Sequence, residues 1–384
     1  MKKIYMRTPR IWMSELAKDL NLDYKYENKI MFGKSRVSIS GVKQALYNLF
    51  KASPLPPLEW IVNYKLITGK DLSEYDLIVE SGSKVIRTKV NYISYVENAI
   101  GLFGFNSKKI NKINWYLFTQ LIKKSNFKGF VFYSKASRTA TMNLFMKFNS
   151  LSLFKDLDLG IIYPYAKVPK FKKNSDILLP PKNEFKALFC SSSLVLKGGL
   201  ETIVAIEELS SEHDIELICI TNGNISRTYA NTEFVKFSSD REKYESIIAN
   251  CDIIIHPTFF DTHALSLLDG LVSGKPAIST NTFAISEYIE SGYNGILIGN
   301  PYKPFDDETK LPKFTGSPLC FAIEIEKKHV LNVKMKNEIK VAIQSIMSNY
   351  PKFQRNSRTF SSDAEFNPIN VLKNWNQLFE KVVK

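Results

Sequence analysis

The second half of the chain alternates short apolar runs with segments of helical spacing. The runs are "KALFCSS" (186–192), "IELICIT" (215–221), "EFVKFSS" (233–239), "CDIIIHP" (251–257), "KPAIST" (275–280) and "GILIG" (295–299). Each is continuous, not alternating, which fits strands covered on both faces. Between them lie "LETIVAIEELSSE" (200–212), "DREKYESIIAN" (240–250), "HALSLLDGLVSG" (263–274) and "AISEYIESG" (284–292), with helical spacing and, in most, a terminal Gly or Asn. Strand then helix, repeated, predicts a doubly wound parallel sheet.

The first half repeats the pattern less cleanly. Strands are expected at 2–7, 75–81, 90–96, 129–135 and 158–165, with helices at 42–50 and 113–125. The Pro- and Lys-rich stretch 167–184 reads as a linker, and 301–318 as a surface insertion. A C-terminal helix over 367–383 carries Ile369, Leu372, Trp375, Leu378 and Phe379 on one stripe, so it must cover something. The division expected is an N-terminal domain over 1–170, joined by helix 367–384, and a second domain over 171–366. Two such domains imply a cleft.

Composition narrows the picture. With 384 residues, 44% hydrophobic and 12% aromatic, the chain can bury two cores. No apolar run reaches the roughly 18 residues of a membrane span, and the charged start "MKKIYMRTPR" does not read as a signal peptide, so a cytoplasmic location is expected, with peripheral association at an anionic membrane surface as the alternative. The cysteines, Cys190, Cys219, Cys251 and Cys320, lack the close pairing of zinc ligands and read as reduced packing residues. The net charge of +14 suits an anionic membrane surface, a nucleic acid or a phosphorylated substrate, or simply a lysine-rich solvated surface.

The stretch "HPTFFDTHALSLLDG" (256–270) concentrates the candidate chemistry. It reads as a strand end followed by a helix starting near Thr262 or His263, with Asp261 in the loop or at the N-cap. Ligands of open parallel sheets bind where strands end and helix N-termini offer free amides. A phosphate is therefore expected beside His263, Ala264, Leu265 and Ser266. Asp269 lies two turns along, so both acids can face one elongated ligand, each carboxylate a good acceptor for vicinal hydroxyls. A phosphate between two hydroxylated groups describes a nucleotide sugar. The plainer readings are an N-cap for Asp261 and an exposed helix turn for Asp269.

The longer segment "FFDTHALSLLDGLVSGKPAISTNTFAISEYIESGYNGILI" resembles the signature of the family 4 retaining glycosyltransferases of the GT-B fold. Gly274, Lys275, Pro276, Glu287, Gly292, Asn294 and Gly295 fall where that pattern wants them, while its two glutamates are replaced by Asp261 and Asp269. The resemblance implies two Rossmann-like domains facing across a cleft, with the C-terminal helix crossing back to the first. It implies that Asp261 contacts donor-sugar hydroxyls and Asp269 the ribose. "LFCSSSLVLKGGLETIVAIEEL" (188–209) is similar to the family's Lys-Gly helix start, which assigns Lys197 to the donor pyrophosphate; Ser192 stands where an arginine is usual. Thr221, Asn222 and Phe237, at strand ends, are candidates to line the base.

The N-terminal half departs from the family. "IYMRTPRIWMSEL" has no glycine for a phosphate loop, and Glu97 or Asn98 stands where a histidine is usual, so Glu97 becomes a candidate to take the acceptor proton or steady oxocarbenium charge. The resemblance implies no cofactor and no metal, Lys197 and helix dipoles standing in for a cation. The expected donor is a UDP- or GDP-sugar and the acceptor a glycan, lipid-linked or protein hydroxyl. The alternatives are a catalytically silent GT-B protein and a nucleic-acid-directed protein, although no nucleic-acid-binding motif is visible.

Overall fold

The computed structural model describes residues 2–26, 50–65, 69–167, 184–223, 227–236 and 240–383. The helix expected over 42–50 falls outside them except for its last residue, as does most of the linker at 167–184. The chain forms two compact units. The first joins Met1–Tyr165 with Phe305–Phe321 and Ile369–Lys384, and the second joins Ala166–Pro304 with Ala322–Pro368.

In the first unit, six parallel strands, β1 (Ile4–Thr8), β2 (Asp23–Tyr26), β3 (Leu77–Glu80), β4 (Tyr92–Val96), β5 (Phe127–Phe132) and β6 (Asp158–Ile161), stand in the order β2-β1-β3-β4-β5-β6. β3 and β4 are buried at every position, as expected of strands with helices on both faces. The longer helices are α1 (Ile11–Asp19), α2 (Lys112–Ile122), α3 (Lys135–Lys147) and α4 (Leu151–Leu157), beside two single turns at Leu58–Ile61 and Ala99–Leu102. β2, α1, α3 and α4 were not legible as elements, because their polar residues interrupt the apolar periodicity. Rings of Phe103, Trp115, Phe118, Phe130 and Phe145 fill the core between β5, α2 and α3.

In the second unit, β7 (Phe185–Cys190), β8 (Ile215–Thr221), β9 (Thr232–Lys236), β10 (Ile253–His256), β11 (Ala277–Thr280) and β12 (Gly295–Ile298) are again all parallel. Their order, β12-β11-β10-β7-β8-β9, makes β7 and β10 the neighbours at which the winding reverses. The helices are α5 (Gly199–Leu209), α6 (Arg241–Asn250), α7 (Leu265–Val272), α8 (Pro318–Lys328, of which Ala322 onward belongs to this unit), α9 (Val333–Ser348) and α10 (Tyr350–Asp363). The doubly wound fold expected from the apolar runs is thus present twice. Cys190, Cys219 and Cys251 are buried, Cys320 is exposed, and all four are free thiols.

Three local expectations are corrected. The helix expected over 284–292 is a single 3-10 turn, Ile285–Glu287. Asn294 takes the backbone groups that would continue it, accepting from the Glu290 N–H at 2.7 Å and donating to the Tyr288 carbonyl at 3.0 Å. The stretch 301–318 is no surface insertion, since Phe305 is buried and Phe305–Phe321 belongs to the first unit. There Gly316 and Ser107 exchange two hydrogen bonds, of 2.8 and 2.9 Å, and the Phe314 and Phe321 rings stack at 4.8 Å. Finally, the C-terminal helix α11 (Pro368–Val382) buries Val371, Trp375, Leu378 and Phe379, while Ile369 is exposed. Residues Ile369–Lys384 return to the first unit, where Trp375 meets Tyr95 edge-on at 5.0 Å.

Candidate active site

The second sheet gathers its chemistry where β7 and β10 end. Gly198, after β7, adopts φ +68°, and a Cβ there would lie 2.3 Å from the Pro257 carbonyl oxygen, so only glycine lets the two loops meet. The Phe259 N–H donates to the Leu196 carbonyl at 3.0 Å, locking them together. This brings Lys197 to Asp261, 64 positions later. Its ammonium donates to Asp261 Oδ2 and to the Phe260 carbonyl, both at 2.6 Å. One of its three N–H bonds is left for a ligand.

Asp261 is bound from every side. Its Oδ1 accepts from the backbone N–H groups of Thr262, His263 and Ala264 at 2.7, 3.1 and 3.0 Å. His256, buried at the end of β10, sets its Nε2 3.2 Å from Oδ2. Burial alone would raise this carboxyl, but the Lys197 charge and the His256 contact outweigh it and hold Asp261 well below the usual carboxylate range. Burial also lowers His256, against the pull of Asp261.

The expected helix start is therefore corrected. α7 begins at Leu265, with Ala264 at its N-cap in the left-handed conformation (φ +44°), and Asp261 lies three residues earlier. The amides of His263 and Ala264, expected to meet a phosphate, are taken by Asp261 Oδ1. Those of Leu265 and Ser266 lie in the first helical turn, where backbone N–H groups have no intrahelical acceptor. The His263 ring is buried edge-on to Phe283.

Asp269, a turn further along α7, has a cation of its own. Both its oxygens lie 3.3 Å from the Arg241 guanidinium, which also binds Glu245 at 2.9 Å. Burial raises the Asp269 carboxyl, and Arg241 and the Tyr244 hydroxyl oppose that. Gly270, the next residue, faces β10: a Cβ there would come within 2.1 Å of Ile254 Cγ1, which fixes how closely α7 lies on the sheet. Ser192 is exposed in the loop after β7, Thr221 is buried at the end of β8 with its hydroxyl accepting from the Gly223 N–H, and Asn222 is exposed beside it. Phe237 lies outside the described residues.

In the first unit, Glu97 follows β4 and accepts from Arg10 at 2.5 Å. Asn98, not Glu97, caps the short helix that follows, accepting from the Gly101 N–H at 3.1 Å. Glu80, fully buried at the end of β3, accepts from Arg7 at 2.7 Å and from the Tyr64 hydroxyl at 2.9 Å. His256, Arg241, Arg7 and Arg10 were not singled out in the sequence. Their shared signal is position, since each lies at the end of a strand or the start of a helix along the ligand-binding edge of its sheet.

A family model described as glycosyl transferases group 1 matches residues 185–306, the segment holding Lys197, Asp261 and Asp269. The lipopolysaccharide glucosyltransferase WaaG of Escherichia coli is 26% identical over 182 residues, 44% of this chain and 49% of that protein, so the matched part spans about half of that relative's length. An uncharacterized glycosyltransferase of Methanocaldococcus jannaschii is 25% identical over 320 residues, 74% of this chain and 80% of that one. Among solved structures, Anabaena HepE in complex with UDP and glucose superposes with a TM-score of 0.55 at 13% identity, covering 99% of this chain and all of that one. Sucrose-phosphate synthase from Thermosynechococcus elongatus gives 0.58 at 11% identity, with 99% of both chains covered. The chain has the GT-B fold and is related, through its second unit, to the group 1 glycosyl transferases.

Proposed function

We propose that the protein is a retaining glycosyltransferase that moves a sugar from a nucleoside diphosphate to an acceptor hydroxyl. The observation that carries this reading is the Lys197–Asp261 pair, beside the first turn of α7 at the switch point of a Rossmann-ordered sheet. In it, the remaining Lys197 N–H and the Leu265 and Ser266 amides receive the donor diphosphate, whose charge grows as the sugar leaves. Asp261, ionised and fixed in place, accepts from donor-sugar hydroxyls. Asp269, beside the Arg241 guanidinium, accepts from the ribose, while Ser192, Thr221 and Asn222 flank the nucleotide. No metal is needed for these roles.

The bond from the anomeric carbon to the phosphate oxygen breaks, and the acceptor oxygen bonds the same carbon on the same face. The acceptor proton passes to the leaving phosphate oxygen. Glu97, already bound to Arg10, serves as a positioning group of the first unit in this scheme. The neighbour solved with UDP and glucose favours a UDP-sugar as the first donor to try, and WaaG, a lipopolysaccharide glucosyltransferase by name, favours a lipid-linked glycan as the first acceptor.

Thermal unfolding with UDP-, GDP- and ADP-sugars tests the reading, because a ligand at a hundred times its Kd stabilises by about 2.7 kcal/mol. One nucleotide class should raise the midpoint, and Asp269→Ala should abolish the rise. A flat response to every donor would sink the donor site. Both acids already hold cations, as a catalytically silent protein of this fold would also allow. Donor turnover above that of Lys197→Ala separates the two, and its absence would favour the silent reading.

A further inference from the structure

Between Asn98 and Lys155 the sequence has ten lysines and arginines and not one aspartate or glutamate, in a chain whose whole net charge is +14. Several of the ten have partners within the protein, among them Lys128, which donates to the Ser125 carbonyl at 2.8 Å. Lys109 is buried and donates to the Phe50 and Leu55 carbonyls, and Arg138 pairs with Asp158 at 2.6 Å. Four others, Lys108, Lys112, Lys123 and Lys124, are exposed and bracket one helix, α2.

The inner face of α2 is complete without any help from its outer one. Trp115, Phe118, Leu121 and Ile122 are buried, and Trp115 stacks on Phe148 at 4.4 Å. Its start is fixed as well: the Asn111 side chain caps it, and the Asn114 amide donates to the Pro54 and Lys109 carbonyls, both at 2.8 Å. The outer face nevertheless carries a second apolar cluster. Ile113 is 75% exposed, Tyr116 63% and Leu117 38%, at the spacing that puts side chains next to one another on a helix.

An ordinary solvent-facing helix is polar there, and the core of a protein–protein interface is depleted in lysine. Apolar side chains with a tyrosine, ringed by lysines and free of acids, match the boundary between headgroups and acyl chains of an anionic bilayer. We propose that the outer face of α2 docks on anionic phospholipid, with Ile113, Tyr116 and Leu117 below the headgroups and the lysines on the phosphates. The proposal rests on charge and exposure in the first unit alone and is independent of the sugar-transfer reading.

The test is sedimentation of the full chain with vesicles of phosphatidylcholine, with and without phosphatidylglycerol. Binding should require phosphatidylglycerol and weaken with salt. A lysine near such a surface contributes about fivefold in affinity, so Lys112→Gln, Lys123→Gln and Lys124→Gln together should reduce binding by about a hundredfold. Ile113→Ser, Tyr116→Ser and Leu117→Ser together should abolish it. Val341→Ser, at a position 66% exposed on α9, should change nothing. All these positions face water, so unchanged melting confirms that the variants fold.

Equal vesicle binding by wild type and both triple variants would overturn the proposal, as would no binding to anionic vesicles. If vesicles do not bind but the serine variant dissolves a dimer, the face belongs to a second copy. Lysine-dependent binding to duplex DNA without vesicle binding would assign the charge to nucleic acid instead.

Discussion

At the residue scale, the two aspartates read from one short stretch sit in opposite electrostatic situations. Asp261 is depressed by Lys197 and His256, and Asp269 is raised by burial. The contribution of a depressed carboxylate is present above the unfolded value, near 3.8, and is lost as pH falls through the lower folded one. Asp261→Asn should therefore cost about 2–3 kcal/mol at pH 7, the worth of hydrogen bonds to a charged group, and the deficit should shrink as the pH falls below about 4. A raised carboxylate has the opposite sign, its contribution being present at low pH and lost as pH rises through the folded value. Wild type should thus gain on Asp269→Asn during acidification. Urea titrations at several pH values measure both, and parallel pH profiles for the two variants would contradict the assignment. The acids were visible in the sequence because each interrupts an apolar run. Their cations were not: Arg241 lies 28 positions from Asp269, and only the fold brings its side chain there.

At the element scale, continuous apolar runs gave away the strands of the second unit because parallel strands are covered on both faces. Where a side chain replaced backbone bonding, the pattern misled, and Asn294 ended the helix expected at 284–292. The excursion Phe305–Phe321 misled differently, since its prolines and lysines read as a loop while Phe305, Phe314 and Phe321 did the packing. The seat of α7 yields a prediction with two competing effects. Gly270→Ala gains about 1 kcal/mol in helix propensity. The added Cβ, however, meets Ile254 Cγ1 at 2.1 Å, with Cδ1 and Cβ near 3 Å, and overpacking of this kind costs roughly 1–3 kcal/mol. A branched side chain held in a buried strand cannot swing away, so the clash wins. Calorimetry should show a lower Tm, and donor binding should weaken with it as α7 shifts Asp269. A Tm equal to or above wild type would mean that the helix is not seated on β10 this closely.

At the scale of the whole molecule, all four tryptophans, Trp12, Trp60, Trp115 and Trp375, belong to the first unit. Tryptophan fluorescence, excited where tyrosine does not absorb, therefore reports on that unit. Trp375 is fully buried against Tyr95 and Phe379, and truncating such a side chain costs about 3–5 kcal/mol. Trp375→Ala should move the urea midpoint seen by the remaining tryptophans well down. The second unit, followed by hydrogen exchange of β7 and β10, should hold its midpoint. If both fall together, the two units unfold as one.

The return of Ile369–Lys384 to the first unit also dictates an order of events during synthesis. Ribosomes deliver the chain from its N-terminus, and domains generally fold as units as they emerge. The last piece of the second unit, Ala322–Pro368, leaves the ribosome before the piece that closes the first. The unit begun first is thus finished last, and until Trp375 arrives the nascent protein leaves the Tyr95 ring uncovered on that side.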